Sequence, residues 1–441
     1  MIASRELSPV DLMRGLLARI ERLEPVVGAF ATLADPEQCL NQAREAEAEI
    51  QARGYRGKLH GIPVGVKDTH YTAGLRTSAS SPILGSFVPT WDATVVTKLK
   101  AAGAIIVGKT NLPEWSMGGG TPGTHNPWDL EGDPGGSSGG SAAAIAADLL
   151  LGATGADTGG SIRSPAIRCG VVGLKPTYGR VSLRGIIPIS WSLDHVGPIA
   201  KTVEDAALLL NGIAGHDPGD RTSSREPVPV YNARLRRGVR GWNIGVPPRD
   251  LVESQSPDAV AAFEAALEVF RGRGATVREV TLPKTFGAVY ACQRIIRIAE
   301  AGAAHRPYLR SGAEYGAQST VRRQVLAGSV LPAASYQRAQ QVRAVFISEM
   351  RELFADVDVM VTPGWETSAD PRGFPSAPLL SVMWNLCGFP AIVLPAGFTS
   401  GSPSRPLGIQ IAGRSFEEET ILTAANTFEQ ATEWHLRKPE L

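Results

Sequence analysis

The chain has 441 residues, 43% hydrophobic and 20% charged, a length equal to about three domains of ~150 residues and a composition that supports a large buried core and excludes intrinsic disorder. Lys plus Arg number 44 against 43 Asp plus Glu, a net charge of +1, so there is no excess positive field to hold a phosphate backbone and nucleic acid is not expected as a ligand. Cys39, Cys169, Cys292 and Cys387 lie far apart with no CxxC pair, which argues against a disulfide scaffold or a thiolate zinc site.

In chain order, Ser8-Pro9-Val10-Asp11 supplies an N-cap, a first-turn proline and an acidic residue, and Leu12, Leu16, Ile20 and Leu23 follow on one face. That pattern predicts an amphipathic opening helix. A second helix is expected from Pro36 to about Gly54, closed by glycine and basic residues. Ile62 to Lys67 reads as a short apolar strand, Asp92 to Lys100 as a helix and Ala104 to Val107 as a strand. Further strands are expected at Val171–Leu174, Asn243–Val246, Thr276–Thr281, Val357–Val361, Ala391–Pro395 and Leu407–Ala412, with helices near 202–213, 257–271, 336–354 and 416–432. Strands alternating with helices imply an α/β fold with a parallel or mixed sheet covered on both faces. The polar connection Gly215–Gly241 is expected to cross the surface between two halves of that sheet. The longest small, apolar stretch, Ala142–Ala156, is broken by Asp148 and too short to span a bilayer. Arg5, Glu6, Asp11 and Arg14 stand where a signal peptide needs an apolar core, so a cytoplasmic protein is expected.

Two catalytic motifs match in letters and fail in context. Gly103 to Thr110 fits the phosphate-loop pattern GxxxxGK[ST], yet its middle residues Ala-Ile-Ile-Val are themselves the strand and Pro113 interrupts the helix that should follow. Lys109 is therefore read as structural. Gly135 to Gly140 contains two overlapping GxSxG matches, but a nucleophile elbow must follow an apolar strand, and Trp128–Pro134 is a polar loop. His60, His70, His125 and His195 are isolated, and no metal-ligand spacing occurs.

What survives is a serine and glycine constellation. Gly135-Gly-Ser137-Ser-Gly-Gly-Ser141 precedes an Ala-rich helix, a short strand and Asp157-Thr158-Gly159-Gly160-Ser161-Ile162-Arg163. A glycine-lined turn with Ser161 at a helix start presents several N–H groups in a concave array, as an oxyanion hole requires. Lys67 is the one lysine of a Gly/Val-rich strand, and a desolvated lysine can act as a neutral base. Each part alone also fits a linker, a helix cap or a snorkelling lysine; the combination is hard to reach by accident.

At these residues the sequence resembles the amidase signature family. The match runs through Gly61-Ile-Pro-Val-Gly-Val-Lys67-Asp, the Gly135–Ala142 and Gly155–Pro165 segments, Val172 to Arg180 and Asp194 to Pro198. The 24-residue step from Ser137 to Ser161 is the one the family shows between its catalytic serines. The resemblance extends more weakly to the opening helices and to Phe389–Phe398. It implies an amidase signature fold, a central mixed β-sheet flanked by helices on both faces. One domain of residues 1–441 is expected, with a helical segment 1–56, a signature core 57–213 and a second part of the sheet with pocket helices 214–441. It also implies a Ser-cisSer-Lys triad: Ser161 as nucleophile, Ser137 as bridging serine next to a cis peptide and Lys67 as base. The N–H groups of Thr158, Gly159, Gly160 and Ser161 would hold the oxyanion. Asp157 and Arg163 would buttress the loop. The Gly118–His125 segment is shorter and richer in glycine than the family's usual stretch, which implies a more open pocket.

The function expected on this basis is a free-standing serine hydrolase that cleaves C–N bonds of carboxamides and anilides through an acyl-enzyme, with carbamates (urethanes) and esters within its range. The alternative is the glutaminase subunit of a tRNA-dependent amidotransferase; a nucleotide-binding protein using Lys109 is a third reading. Cofactor and metal are expected to be absent. The expected partner is a small amide or carbamate, with no nucleic acid and no membrane, in a monomer or homodimer.

Overall fold

In the computed structural model, which describes residues 1–317, 320–364 and 377–441, period-two alternation along the strands decides which layer each side chain joins. Ile106 packs with Val64, Val66, Leu99 and Leu209 on one face, whereas Ile105 and Val107 pack with Met13, Leu16, Ile20 and Ala143 on the other. A sheet buried on both sides in this way must be covered by helices twice.

The strands are β1 (Phe30–Leu33), β2 (Pro63–Lys67), β3 (Ile105–Thr110), β4 (Gly152–Asp157), β5 (Val172–Lys175), β6 (His195–Ala200), β7 (Asn243–Val246), β8 (Thr276–Glu279), β9 (Val359–Pro363), β10 (Ala391–Phe398) and β11 (Pro406–Ala412). Among the described residues they form one sheet in the order β1-β3-β2-β4-β6-β5-β10-β11-β9-β7-β8. The sheet is mixed: β2 runs parallel to β3 and β4, and β7 parallel to β8 and β9, while β4/β6, β5/β6, β5/β10, β10/β11 and β9/β11 are antiparallel. The fold is therefore the mixed α/β architecture expected from the sequence. Strands from early and late in the chain meet at the β5/β10 seam.

The opening helix, Pro9–Val27, starts where its cap demands, with the Ser8 side chain accepting from the amides of Val10 and Asp11. The expected second helix is Pro36–Arg53 and the expected helices near 336–354 and 416–432 are Ala333–Leu353 and Glu418–Glu429. Elements that alternation and caps did not single out include β1, β6 and the helices Val289–Ala304 and Val321–Ser329. The last two stack on each other, and the first of them also packs on Ala377–Cys387, to build a separate helical wall over the β4 end of the sheet. Among the described residues no helix is long and apolar enough to cross a membrane.

Candidate active site

Lys67 is the last residue of β2, and every residue of that strand is buried. Pairing with Thr110 of β3 fixes its backbone, and its N–H donates to Thr154 Oγ1 of β4 at 3.3 Å. Its Nζ lies 2.7 Å from Ser137 Oγ, 2.9 Å from Ser138 Oγ and 3.4 Å from the Ala156 carbonyl. The peptide bond before Ser137 is cis. Ser138 then leads into the Gly139–Ala146 helix, and its N–H donates to the Ser161 carbonyl at 3.1 Å. That bond holds the two serine segments side by side. Gly136 is required here, because a Cβ on it would lie 2.9 Å from the Gly120 carbonyl oxygen; the Gly118–Gly120 wall passes directly over it.

Burial drives the Lys67 amine down to about 7, against the opposing pull of Asp157 and Asp194. A neutral amine has two N–H donors and one lone pair. Ser138 Oγ already accepts from the Ala156 N–H and donates to the Ala156 carbonyl, so toward Lys67 it acts as an acceptor. Ser138 Oγ and Ala156 O take the two N–H groups, which leaves the lone pair for the Ser137 hydroxyl proton.

After β4, the Thr158–Ser161 loop turns around the Asp157 carboxylate. Asp157 accepts from the N–H of Gly160 at 2.6 Å and of Ile162 at 3.1 Å, from Asn385 Nδ2 at 2.8 Å, and from Arg163 Nε and Nη2 at 3.0 and 3.2 Å. Burial works to raise this carboxyl, and the Arg163 guanidinium more than offsets it, holding Asp157 below the usual carboxylate range. Arg163 also donates to Ser381 O, Gln410 Oε1 and Asn385 Oδ1. The pair ties the loop to β11 and to the Ala377–Cys387 helix, the buttress role expected of it.

Gly160 departs from its expected role. Its N–H is committed to Asp157, so it is not a free oxyanion donor. Among the described residues the N–H groups of Thr158, Gly159 and Ser161, which lie outside the strands and helices, donate to no other group. Behind the loop the Thr158 hydroxyl donates to Asp194 at 2.6 Å, and Asp194 also accepts from the amides of Ile189 and Ser190. Gln293 Nε2 donates to the Thr158 carbonyl at 2.9 Å and fixes the loop from above. Ser138 lies within the Gly135–Ser141 motif and Asp194 opens the Asp194–Pro198 segment; Gln293 and Asn385 sit on helices with no local signature.

Lys109 stands in β3, fully buried, donating to the His70 carbonyl and to Thr77 Oγ1 at 2.8 Å and lying 3.6 Å from Asp68. Its segment is a strand and not a phosphate cradle. His195 is buried in β6 with Nδ1 2.7 Å from the Leu193 carbonyl. Among the described residues no group of three or more His, Cys, Asp and Glu is placed to hold a metal ion.

Ser161, Gly159 and Gly160 open into a cavity of about 720 Å³. Its walls use Met117, Gly118, Gly119 and Ile189, and residues of the 290–298 and 320–324 stretches, among them Tyr290, Gln293 and Gln324.

The family model described as Amidase matches residues 11–422. The A subunit of the glutamyl-tRNA(Gln) amidotransferase of Geobacter sp. (strain M21) is 43% identical, covering 100% of this chain and 97% of that protein. Among solved structures, the A subunit of the glutamyl-tRNA(Gln) amidotransferase of Thermotoga maritima superimposes with a TM-score of 0.80 at 35% identity, over 97% of this chain and 95% of that one. The native peptide amidase of Stenotrophomonas maltophilia gives 0.88 at 32% identity, over 100% and 96%. These findings support an amide-hydrolysing enzyme and overturn two expectations. The free-standing hydrolase of carboxamides and anilides, reaching to carbamates and esters, gives way to the amidotransferase alternative, because the full-length relatives carry that name. The small-molecule-only partner set, with no nucleic acid, gives way with it. The physical reason is that a serine attacking a carbonyl is indifferent to what the carbonyl belongs to, so the relay residues alone carry no choice among amide, carbamate and ester.

Proposed function

The chain belongs to the amidase family, and from that premise we propose that it is the amide-hydrolysing subunit of a tRNA-dependent amidotransferase, releasing ammonia from glutamine for transfer to a tRNA-bound aminoacyl group. The reading is supported by the 2.7 Å contact between Lys67 and Ser137, next in sequence to Gly136 of the cavity wall, in a chain matched end to end by the amidotransferase protein of Geobacter.

In this reading neutral Lys67 takes the Ser137 proton as Ser137 takes that of Ser161, whose Oγ attacks the amide carbon. The N–H groups of Thr158, Gly159 and Ser161 hold the resulting oxyanion, each worth on the order of 3 kcal/mol in the transition state. Ser137 returns its proton to the departing nitrogen and is resupplied by Lys67. Water, deprotonated through the same relay, then frees the acyl group from Ser161. A cytoplasmic setting, in which aminoacyl-tRNA is at hand, accords with this role.

The test is conversion of glutamyl-tRNA(Gln) to its amide with glutamine as donor, using the protein isolated together with its partner subunits and, in parallel, its Ser161→Ala form. Glutamine-dependent amidation lost in the variant is the expected result. A protein that purifies without partners and releases no more ammonia from glutamine than Ser161→Ala would overturn the proposal.

A further inference from the structure

The N–H groups of Thr158, Gly159 and Ser161, which donate to no other group among the described residues, are built alike. Each belongs to a trans peptide, in which the N–H points opposite to the carbonyl of the preceding residue. In each case that carbonyl is held. The Asp157 carbonyl, opposite the Thr158 N–H, accepts from Asn385 Nδ2 at 2.9 Å. The Gly160 carbonyl, opposite the Ser161 N–H, accepts from the Ser164 N–H at 2.7 Å. The Thr158 carbonyl, opposite the Gly159 N–H, accepts from Gln293 Nε2 at 2.9 Å, and among the described residues it has no other donor. We propose that Gln293 is a positioning residue of the oxyanion site, the side chain that aims the Gly159 N–H at the carbonyl under attack. This rests on the Ser161 chemistry proposed above and does not depend on which amide the enzyme takes.

Gly159 needs such a clamp from outside the loop. Without a Cβ it does little to oppose rotation of the peptide that precedes it, and a half-turn of that peptide would present the Thr158 carbonyl oxygen to the developing negative charge. The Thr158 side chain does not hold the peptide, because its hydroxyl is directed to Asp194. Gln293 is 3% exposed and lines the cavity. A Cβ on Gly159 would lie 3.0 Å from its Nε2, so the carboxamide is packed against the residue whose N–H it aims. Donation to the carbonyl also polarises that peptide and strengthens its N–H as a donor. The helix that carries Gln293, Val289–Ala304, is itself packed by the helices Val321–Ser329, Ala333–Leu353 and Ala377–Cys387.

The experiment uses a fluorophosphonate, which needs no matching amide. Ser161 Oγ bonds to phosphorus as fluoride leaves and the serine proton passes to the relay, and the phosphoryl oxygen calls on the same N–H donors. The second-order rate of Ser161 labelling, read by mass spectrometry, is compared in the wild type, Gln293→Leu and Gln293→Glu. In parallel, kcat and KM are measured for ammonia release from glutamine by the protein isolated with its partner subunits. Gln293→Leu should label about 10²-fold more slowly, the lower end of the loss caused by deleting an oxyanion donor, and its loss in turnover should fall on kcat with KM held within about threefold. Gln293→Glu should be slow while ionised, since a carboxylate accepts from the flipped Gly159 N–H, and should recover as it is protonated and donates to the Thr158 carbonyl. Its rate relative to the wild type should therefore rise by up to about tenfold for each unit that the pH falls between about 8.5 and 6. A packing role alone gives a flat ratio, and this readout stands even if Gln293→Leu folds poorly.

Labelling of Gln293→Leu at the wild-type rate, a loss confined to KM, or a flat ratio in Gln293→Glu would overturn the positioning role and leave the Ser161 chemistry intact. A wild type that is not labelled at Ser161 would overturn that chemistry and this inference with it. Ser161 labelled as expected while glutamine is left untouched would defeat only the amidotransferase reading, with the labelling rates still deciding the part played by Gln293.

Discussion

The Thr158 hydroxyl donates to the Asp194 carboxylate at 2.6 Å, with both residues buried directly behind the loop that carries Ser161. Burial raises Asp194 to about 6, and the Thr158, Ser190 and Ile189 hydrogen bonds work against it. At neutral pH the ionised form predominates and helps to keep a proton on Lys67, which burial lowers to about 7. The rate of amide cleavage should therefore rise with pH on a group near 7 and level off above it. Asp194→Asn retains an oxygen for Thr158 while deleting the charge, so its rising limb should move to lower pH. A kcat/KM profile from about pH 5 to 9 decides this, and an unmoved limb would separate Asp194 from the base.

Ser161→Ala should lower turnover by at least ~10⁴-fold, as loss of the nucleophile does in enzymes whose residues act as a unit. Among the described residues the Ser161 hydroxyl makes no hydrogen bond, so the change in folding free energy should stay within about 0.5 kcal/mol. Lys67→Ala should be as inactive and should also abolish the ionisation near 7. Activity retained in either variant, measured as ammonia release, would refute the relay.

How far the sequence reached is visible in these residues. Lys67, Ser137 and Ser161 all lie in motifs marked by the sequence, and the fold sets Lys67 2.7 Å from Ser137. The strands of the core were legible because alternation between two buried faces leaves Val/Ile runs bounded by glycine. The pocket wall was not legible. Gln293, Arg297 and Arg323 reach the site only because two helices distant in sequence stack over β4, and nothing local marks a polar side chain as facing a cavity and not solvent. Gly160 shows a subtler limit: its place in the motif is that of an oxyanion donor, and only the fold reveals that Asp157 claims its N–H. Substrate class was illegible for a different reason, since the attacking groups are the same for every carbonyl.

Arg163→Met should be far more damaging than its position outside the relay suggests. It leaves Asp157, wholly buried, without its guanidinium partner, and removes donors to Ser381 O, Gln410 and Asn385. Breaking one side of a buried pair costs about 3–5 kcal/mol. Asp157→Asn, which neutralises the carboxylate but leaves the arginine its other acceptors, should cost less. Chemical denaturation of the two variants, compared at one pH, measures the difference, and equal losses would contradict the role given to Arg163.

The folding stability should rise with pH from about 7 to 8.5, which is unusual for a protein with so balanced a charge. Burial lowers both Lys67 and Lys175 from 10.5 to about 7, and Lys109 to about 8. A base lowered in the native state binds fewer protons there than in the unfolded chain, so its contribution to the slope appears as pH rises through the native value and persists up to the unfolded one. Lys67 and Lys175 together give a slope of at most ~2.7 kcal/mol per pH unit, to which Lys109 adds up to ~1.4 above about 8. Burial also raises the four cysteines, and these oppose the trend once unfolded thiols begin to hold fewer protons than folded ones, near ~8.5; that sets the upper end of the window. Lys175 takes no part in the relay; its Nζ donates to the Pro176 carbonyl at 3.0 Å and the Phe389 carbonyl at 2.6 Å. Lys175→Met should therefore reduce the slope by about 1 kcal/mol per pH unit, whatever it does to stability at any single pH. Urea unfolding of the wild type and the variant at several points across the window measures both slopes. Parallel lines would mean that Lys175 is protonated to the same extent in the folded and unfolded chains, and that burial at the β5/β10 seam leaves its amine charged.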